Sequence, residues 1–253
     1  MNLAGLSSSI SSISPAPMLD AWRQPWRQLL KRRIRPSHRT AHGRIYAGNG
    51  EPVIVLPAFG HGPESTAKLR EILTEAGFAA YDWGMGADLG PRDFGMNRHL
   101  RRLEEQLIDV FEAGQSAVSL LGWGLSGIYA REVAKRTSPL VRQVITLGTP
   151  FNTAADPQHE CAMLRALQGT HARMEPAVWQ RLRQRPPVPC TSIYSMSDGV
   201  IPWELCVETE TPTSENIEIP ATAHLRLARH PKVLEVVSHR LSQPEDEWQP
   251  FQA

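Results

Sequence analysis

From about residue 50 onward, short apolar runs alternate with longer stretches whose apolar positions recur at helical spacing. The apolar runs predict strands, which we place at 52–56, 78–83, 117–121, 141–147, 190–194 and 216–219. The helical spacing predicts helices at 65–76, 97–113, 125–136 and 230–241. Because crossovers of this length join parallel strands, we expect an α/β fold with a mostly parallel sheet that helices cover on both faces.

The alternation is interrupted between the fourth and fifth strands. Residues 153–189 separate these strands by far more than a typical connection. Helical spacing predicts two short helices in this insertion, at about 160–167 and 175–183. We expect the insertion to form a lid above the sheet. Its large apolar side chains either line a pocket for an apolar group or pack the lid onto the body: Met163, Met174 and Trp179.

The first 45 residues differ in composition from the domain that follows. Residues 1–17 are rich in serine, and 18–35 predict a short amphipathic helix. The first 50 residues hold one acidic and eight basic side chains, a local charge of +7 in a chain of +1. Trp22 and Trp26 among the Arg and Lys residues of 23–35 are typical of an interfacial helix on anionic lipid. The alternative is a helix packed across the domain with its basic side in water; neither indicates nucleic-acid binding.

Length and composition limit the remaining possibilities. A chain of 253 residues with 41% hydrophobic residues supports one sizeable core, here a domain at 46–243 followed by a tail at 244–253. The sequence contains no apolar run of transmembrane length and no secretory signal pattern. Three scattered cysteines indicate a reducing compartment, so we expect a cytoplasmic protein, which the interfacial helix would attach peripherally to the inner membrane surface. No motif predicts a cofactor or a metal site.

The most informative local pattern lies at the end of the third predicted strand. The strand runs into a glycine cluster and then directly into a helix, and the sequence from 120 to 131 reads LLGWGLSGIYAR. A sharp strand-to-helix turn with small flanking residues is the setting of the nucleophile elbow, G-x-S-x-G. Aligned by the end of the strand, the central position of this elbow is Gly124, and Ser126 follows two residues later.

From about residue 53 to 241 the chain resembles the bacterial α/β-hydrolase esterases and triacylglycerol-lipase-like proteins. The elbow of that family reads GWSLGG before a helix of the form IYARE, whereas this chain has GWGLSG. Its LPGFG loop is LPAFG here, with Ala58 at a usual glycine. The segment WGxGxNxGP is matched from Trp83 to Pro91 with Asp88 at the asparagine, and LGTPF is matched at 147–151.

The other two members of a catalytic triad follow in the order that the resemblance implies. Asp198 lies in the loop after a strand, and His224 precedes the last helix, so that the carboxylate orients the histidine as a general base. The backbone N–H groups of Phe59 and Leu125 are the expected oxyanion donors. We also expect a small-molecule ester or acyl ligand, contacted by His61 and Trp123.

The replacement of the serine leaves three hypotheses open. Ser126 acts as a displaced nucleophile on a shifted elbow, which places Ile128 at a position that should be small. Alternatively, His224 and Asp198 activate water directly, without a covalent intermediate. In the third hypothesis the chain is a catalytically silent homologue that binds a ligand or has a regulatory role.

Overall fold

The structure is a computed structural model that describes residues 38–41, 43–91, 95–152, 176–245 and 247–252. The predicted helices at 18–35 and 160–167 lie outside these residues, as do Met163, Met174 and the side chain of Trp179. The membrane contact through Trp22 and Trp26 and the cytoplasmic location therefore stay predictions.

The strands and helices of the described residues agree closely with the pattern of the sequence. The strands are β1 (His38–Thr40), β2 (Gly43–Ile45), β3 (Pro52–Leu56), β4 (Ala79–Asp82), β5 (Val118–Trp123), β6 (Val141–Leu147), β7 (Cys190–Tyr194) and β8 (Ser214–Glu218). The helices are α1 (Ala67–Glu75), α2 (Gly95–Gly114), α3 (Ser126–Arg136), α4 (Pro176–Arg183) and α5 (Pro231–Ser242). Short 3-10 turns, including Pro63–Thr66 before α1 and His224–Arg229 before α5, complete the order.

Six strands form one sheet in the order β4-β3-β5-β6-β7-β8, and every neighbouring pair is parallel. The chain builds outward from β3 to β4 first, then crosses back over β3 to β5 and continues in the other direction. The loops after β3 and β5 therefore diverge at the carboxyl edge of the sheet. Such a switch point is where open parallel sheets form their ligand crevice.

The sheet is buried on both faces because successive residues of its central strands point to opposite sides. Ile54 and Leu120 pack with the buried side chains of α2 and α3 on one face. Val53 and Leu121 pack with those of α1 and α5 on the other. The prediction of a parallel sheet with helices on both faces is confirmed.

A two-stranded hairpin of β1 and β2 was not predicted from the sequence. The strands pair antiparallel, with Thr40 opposite Gly43. Ile45 is buried in the core cluster that contains α5, and the Tyr46 N–H donates to Ser238 Oγ of α5 at 3.1 Å. Three-residue strands with exposed arginines, Arg39 and Arg44, give too short an apolar pattern to detect.

A close backbone approach joins β5 to α3 at the carboxyl edge. A Cβ atom built on Gly122 would lie 2.4 Å from the Cα of Gly127 and 2.6 Å from its nitrogen. A Cβ on Gly127 would in turn lie 2.0 Å from Thr149 Oγ1. Only residues without side chains permit the helix to begin this close to its strand.

We therefore expect Gly122→Ala to lower the free energy of unfolding by on the order of 2 kcal/mol, since the clash is with backbone that cannot rotate away. Chemical denaturation with urea measures the change. The matched control is Gly114→Ala at the end of α2, where the nearest atom would be Ser116 Oγ at 3.6 Å. We expect the control to be neutral or slightly stabilising; equal losses in both variants would contradict the importance of the approach.

Candidate active site

The turn between β5 and α3 has the backbone conformation that only glycine adopts readily. Gly124 has φ +62°, and its N–H donates to the carbonyl oxygen of Leu147 in β6 at 2.8 Å. Its own carbonyl oxygen accepts from the N–H of Gly127 at 3.2 Å. The central position of the elbow therefore keeps the expected sharp turn but carries no side chain.

The hydroxyl of Ser126 points back to the end of β5. Ser126 Oγ accepts a hydrogen bond from the Trp123 N–H at 3.0 Å and donates to the Trp123 carbonyl oxygen at 3.0 Å. The residue is fully buried in the first turn of α3. Both capacities of the hydroxyl are thus used by backbone, and the geometry does not support the interpretation of Ser126 as a displaced nucleophile.

Asp198 and His224 form a buried pair at the carboxyl edge of the sheet. His224 Nδ1 lies 2.8 Å from Asp198 Oδ2, and the backbone N–H of His224 donates to the Asp198 carbonyl oxygen at 2.9 Å. The other carboxylate oxygen, Oδ1, accepts from the N–H groups of Val200 and Ile201 at 3.0 and 2.7 Å. Both partners are therefore fixed, and the remaining ring nitrogen of His224 has a defined direction.

That second ring nitrogen, His224 Nε2, is buried and has no hydrogen-bond partner among the described residues. Thr149 Oγ1, which follows β6 at the same edge of the sheet, is in the same condition. Buried polar atoms without partners are uncommon in proteins and often mark a place that a water molecule or a ligand fills. With Nδ1 held by the carboxylate, Nε2 is in position to accept a proton.

The close contact between Gly148 and the histidine was not recognised from the sequence. A Cβ on Gly148 would lie 3.0 Å from both Asp198 Oδ2 and His224 Nδ1, and Gly148 has φ +53°. A side chain there would push the pair apart. The motif LGTPF contained the signal, because a glycine directly after a buried strand often marks a close approach.

Trp123 lies beside the pair and contacts its backbone. Its indole N–H donates to the carbonyl oxygen of His224 at 3.3 Å, the two rings are 6.1 Å apart, and the side chain is buried. These contacts indicate that Trp123 holds His224 in place and do not support direct contact with a substrate. His61 is exposed on the loop after β3, with Nδ1 3.3 Å from the Phe59 carbonyl oxygen.

The two expected oxyanion donors lie in the loops that diverge at the switch point. Phe59 follows β3 and Leu125 precedes α3, and neither backbone N–H has a hydrogen-bond acceptor among the described residues. Ala58, which replaces a glycine of the family pattern, is buried and does not require a positive φ. The substitution at 58 is therefore compatible with this loop.

Solved structures with a similar chain path include lipolytic enzymes. One of the two metagenome-derived lipolytic enzymes LipS and LipT matches with a TM-score of 0.54 at 14% identity, over 77% of this chain and 92% of its own. Bacillus licheniformis lipase BlEst2 matches with 0.57 at 14%, over 78% and 95%. Aspergillus fumigatus lipase B matches with 0.59 at 15%, over 77% and 53%.

The chain has the α/β-hydrolase fold. No protein-family model matches the sequence, and no curated protein matches it either. In the described residues, no helix combines the length and the apolar character needed to cross a bilayer. The similarity to these solved structures therefore shows the fold, while the chemistry depends on the residues of the site.

Asp88 is a further buried acid at the carboxyl edge of the α/β-hydrolase sheet. It follows β4, is fully buried, and accepts from the Gly90 N–H at 3.0 Å and the Tyr129 hydroxyl at 3.5 Å through Oδ1. Oδ2 has no partner among the described residues. Burial raises the pKa of Asp88 to about 6, partly offset by the two hydrogen bonds.

The described cysteines and metal-ligating side chains do not replace the missing serine. Cys190 and Cys206 are buried, and burial raises the pKa of the Cys190 thiol to about 11, so that it is not a thiolate near neutral pH. No cluster of three or more His, Cys, Asp or Glu side chains there is arranged to hold a metal ion.

The geometry of Ser126 predicts that its hydroxyl matters for stability. We expect Ser126→Ala to lower the free energy of unfolding by about 1–2 kcal/mol, because it removes a buried hydroxyl that bonds to both the N–H and the carbonyl oxygen of Trp123. A urea titration measures this loss. Ser119→Ala on β5 is the comparison variant. Ser119 is also buried, and its hydroxyl accepts a hydrogen bond from the side-chain amide of Gln143. An unchanged stability for Ser126→Ala would mean that the hydroxyl is not held as described.

Proposed function

We propose that the chain is a carboxylic-ester hydrolase that uses His224 and Asp198 to activate water, without a nucleophilic serine. The observation that carries this proposal is the buried pair itself: Nδ1 is held by the carboxylate at 2.8 Å while Nε2 has no partner among the described residues. A histidine oriented in this way is built to accept a proton from a bound group. The elbow supplies no hydroxyl, so water is that group.

The reaction follows from the arrangement of donors and base. His224 Nε2 takes a proton from water while the water oxygen bonds to the ester carbonyl carbon, and the N–H groups of Phe59 and Leu125 stabilise the resulting oxyanion. The intermediate then expels the alcohol oxygen, which takes the proton from the imidazolium. Asp198 remains a carboxylate throughout and stabilises the charged ring. The products are a carboxylic acid and an alcohol.

The loops around the site support an ester with an apolar part. Among the described residues, the large hydrophobic side chains most exposed to solvent include Leu89, Met196, Val200 and Leu225. Each lies within two residues of Asp88, Asp198 or His224 along the chain. An apolar acyl or alcohol group bound at the carboxyl edge would cover part of this surface and gain from its burial.

The alternative is a catalytically silent protein that binds an acyl or hydroxylated ligand in the same place. Gly124 favours this interpretation, because a glycine at the centre of the elbow supplies no attacking oxygen. His224 Nε2 would then accept a hydrogen bond from the ligand instead of a proton. The two functions use the same residues and differ only in turnover.

Turnover of esters by the wild-type chain distinguishes these functions. We expect His224→Ala to reduce kcat/KM for medium-chain p-nitrophenyl esters by about 100-fold or more, the usual contribution of a general base. Asp198→Asn should also lose activity, since the ring is no longer held in one tautomer. His239→Ala serves as the control, because this histidine lies on α5 and packs against Tyr46. Equal rates for wild type and His224→Ala would favour the binding protein.

Restoring the serine tests whether the remaining machinery is intact. We expect Gly124→Ser to raise ester turnover at least tenfold above wild type and to form an acyl-enzyme visible by intact mass, both lost with His224→Ala. A serine at φ +62° is strained, so a stability loss of about 1–3 kcal/mol should accompany the gain.

Gly86→Ser is the matched control for this strain, because Gly86 has φ +73° and open space around its Cβ position. It should lose stability without gaining turnover. If Gly124→Ser folds but gains neither turnover nor an acyl-enzyme, His224 is not placed to act on the elbow position.

A further inference from the structure

The loop that carries the oxyanion donor Phe59 is held by the backbone of Asp88. The Gly60 N–H donates to the Asp88 carbonyl oxygen at 2.7 Å, and the Asp88 N–H donates to the His61 carbonyl oxygen at 2.9 Å. The loop is closed on itself by one more bond, from the His61 N–H to the Ala58 carbonyl oxygen at 3.0 Å. The position of the donor therefore depends on where the chain around Asp88 lies.

The side chain of Asp88 is poorly satisfied as a carboxylate. Oδ1 has one backbone N–H at 3.0 Å and a phenol at 3.5 Å, Oδ2 has no partner among the described residues, and the residue is fully buried. No cation of the described chain contributes to its environment. A charge in such a place is costly unless the carboxyl binds a proton or moves to water.

The titratable groups around Asp88 do not compensate this charge. Tyr129 of α3 faces Oδ1, and burial raises its pKa well above 10, so that it stays neutral. His99 of α2 packs on the Tyr129 ring at 4.4 Å, and burial lowers its pKa to about 4. His61, on the loop itself, is exposed to solvent. Asp88 is thus the one buried group of this set that changes its charge between pH 5 and 8.

We propose that Asp88 is a positioning residue for the oxyanion loop, and that the loop is held when its carboxyl is protonated and loosened when it is ionised. Protonated, the side chain stays buried beside Tyr129 and its backbone pairs with Gly60 and His61. Ionised, it is drawn toward water, which weakens both backbone bonds. This inference rests on the proposed function for the meaning of Phe59, but not for the loop movement itself.

Because the pKa of Asp88 is raised to about 6, the protonated form dominates below that pH and is lost as the pH rises through it. The loop should therefore be tightest near pH 5 and loosest near pH 8. Asparagine is the residue at this position in the resembling family pattern. It has the same shape and no charge at any pH, so it should keep the loop tight throughout.

Hydrogen exchange followed by mass spectrometry tests this on the full chain without any substrate. We expect protection factors of peptides that contain Gly60, His61 and Asp88, corrected for intrinsic exchange, to fall about tenfold from pH 5 to pH 8 in wild type. In Asp88→Asn they should change less than twofold. Peptides of β5 and β6 report global stability and should not change.

Asp109→Asn, an exposed carboxylate on α2, is the matched control and should behave as wild type. The proposal is overturned if wild-type protection of the loop is the same at both pH values, a comparison that needs no variant. It is also overturned if Asp88→Asn shows the wild-type fall. If the exchange result is as expected but the wild-type protein shows no His224-dependent ester hydrolysis, only the proposed function is contradicted.

Discussion

The close approach of Gly122 and Gly127 at the end of β5 is the constraint on which the site depends. It lets α3 begin directly above the strand, and Gly124 completes the turn in a left-handed conformation. The Ser126 hydroxyl then ties the first turn of the helix to Trp123. These contacts fix the N–H of Leu125 and bring the neighbouring loops to one edge of the sheet.

The same edge holds His224, whose ring is oriented by Asp198. Gly148 makes room for the contact between Asp198 and His224, and the indole N–H of Trp123 donates to the carbonyl oxygen of His224. The structure therefore holds a histidine that a carboxylate orients at this edge, while Gly124 supplies no attacking oxygen. A histidine base without a nearby serine is consistent with direct attack by water, because the attacking oxygen then does not have to belong to the protein.

Much of this arrangement was predictable from the sequence. Uninterrupted apolar runs such as 141–147 give strands buried on both faces, and the chain order of Asp198 and His224 placed both at the carboxyl edge, where the structure brings them together. The hairpin of β1 and β2 was missed, because strands of three residues carry almost no periodic signal.

Side-chain direction was harder to predict than the course of the chain. The sequence could not decide whether Ser126 faced the site, since this depends on where the first turn of α3 begins relative to Gly124. Gly148 and Asp88 gave only weak signals, as one glycine and one acid within longer motifs. Their roles come from contacts with residues distant in sequence, Gly148 with His224 and Asp88 with Tyr129.

We infer that this α/β-hydrolase fold carries a working base but no activated serine. Labelling of the folded wild-type protein with a fluorophosphonate, followed by peptide mapping, tests this most directly, because the reagent modifies serines activated by a neighbouring base. Our prediction is that no serine of the wild-type protein is modified. Modification of Ser126 that disappears in His224→Ala would contradict it, and would mean that the hydroxyl leaves Trp123 to act as the nucleophile.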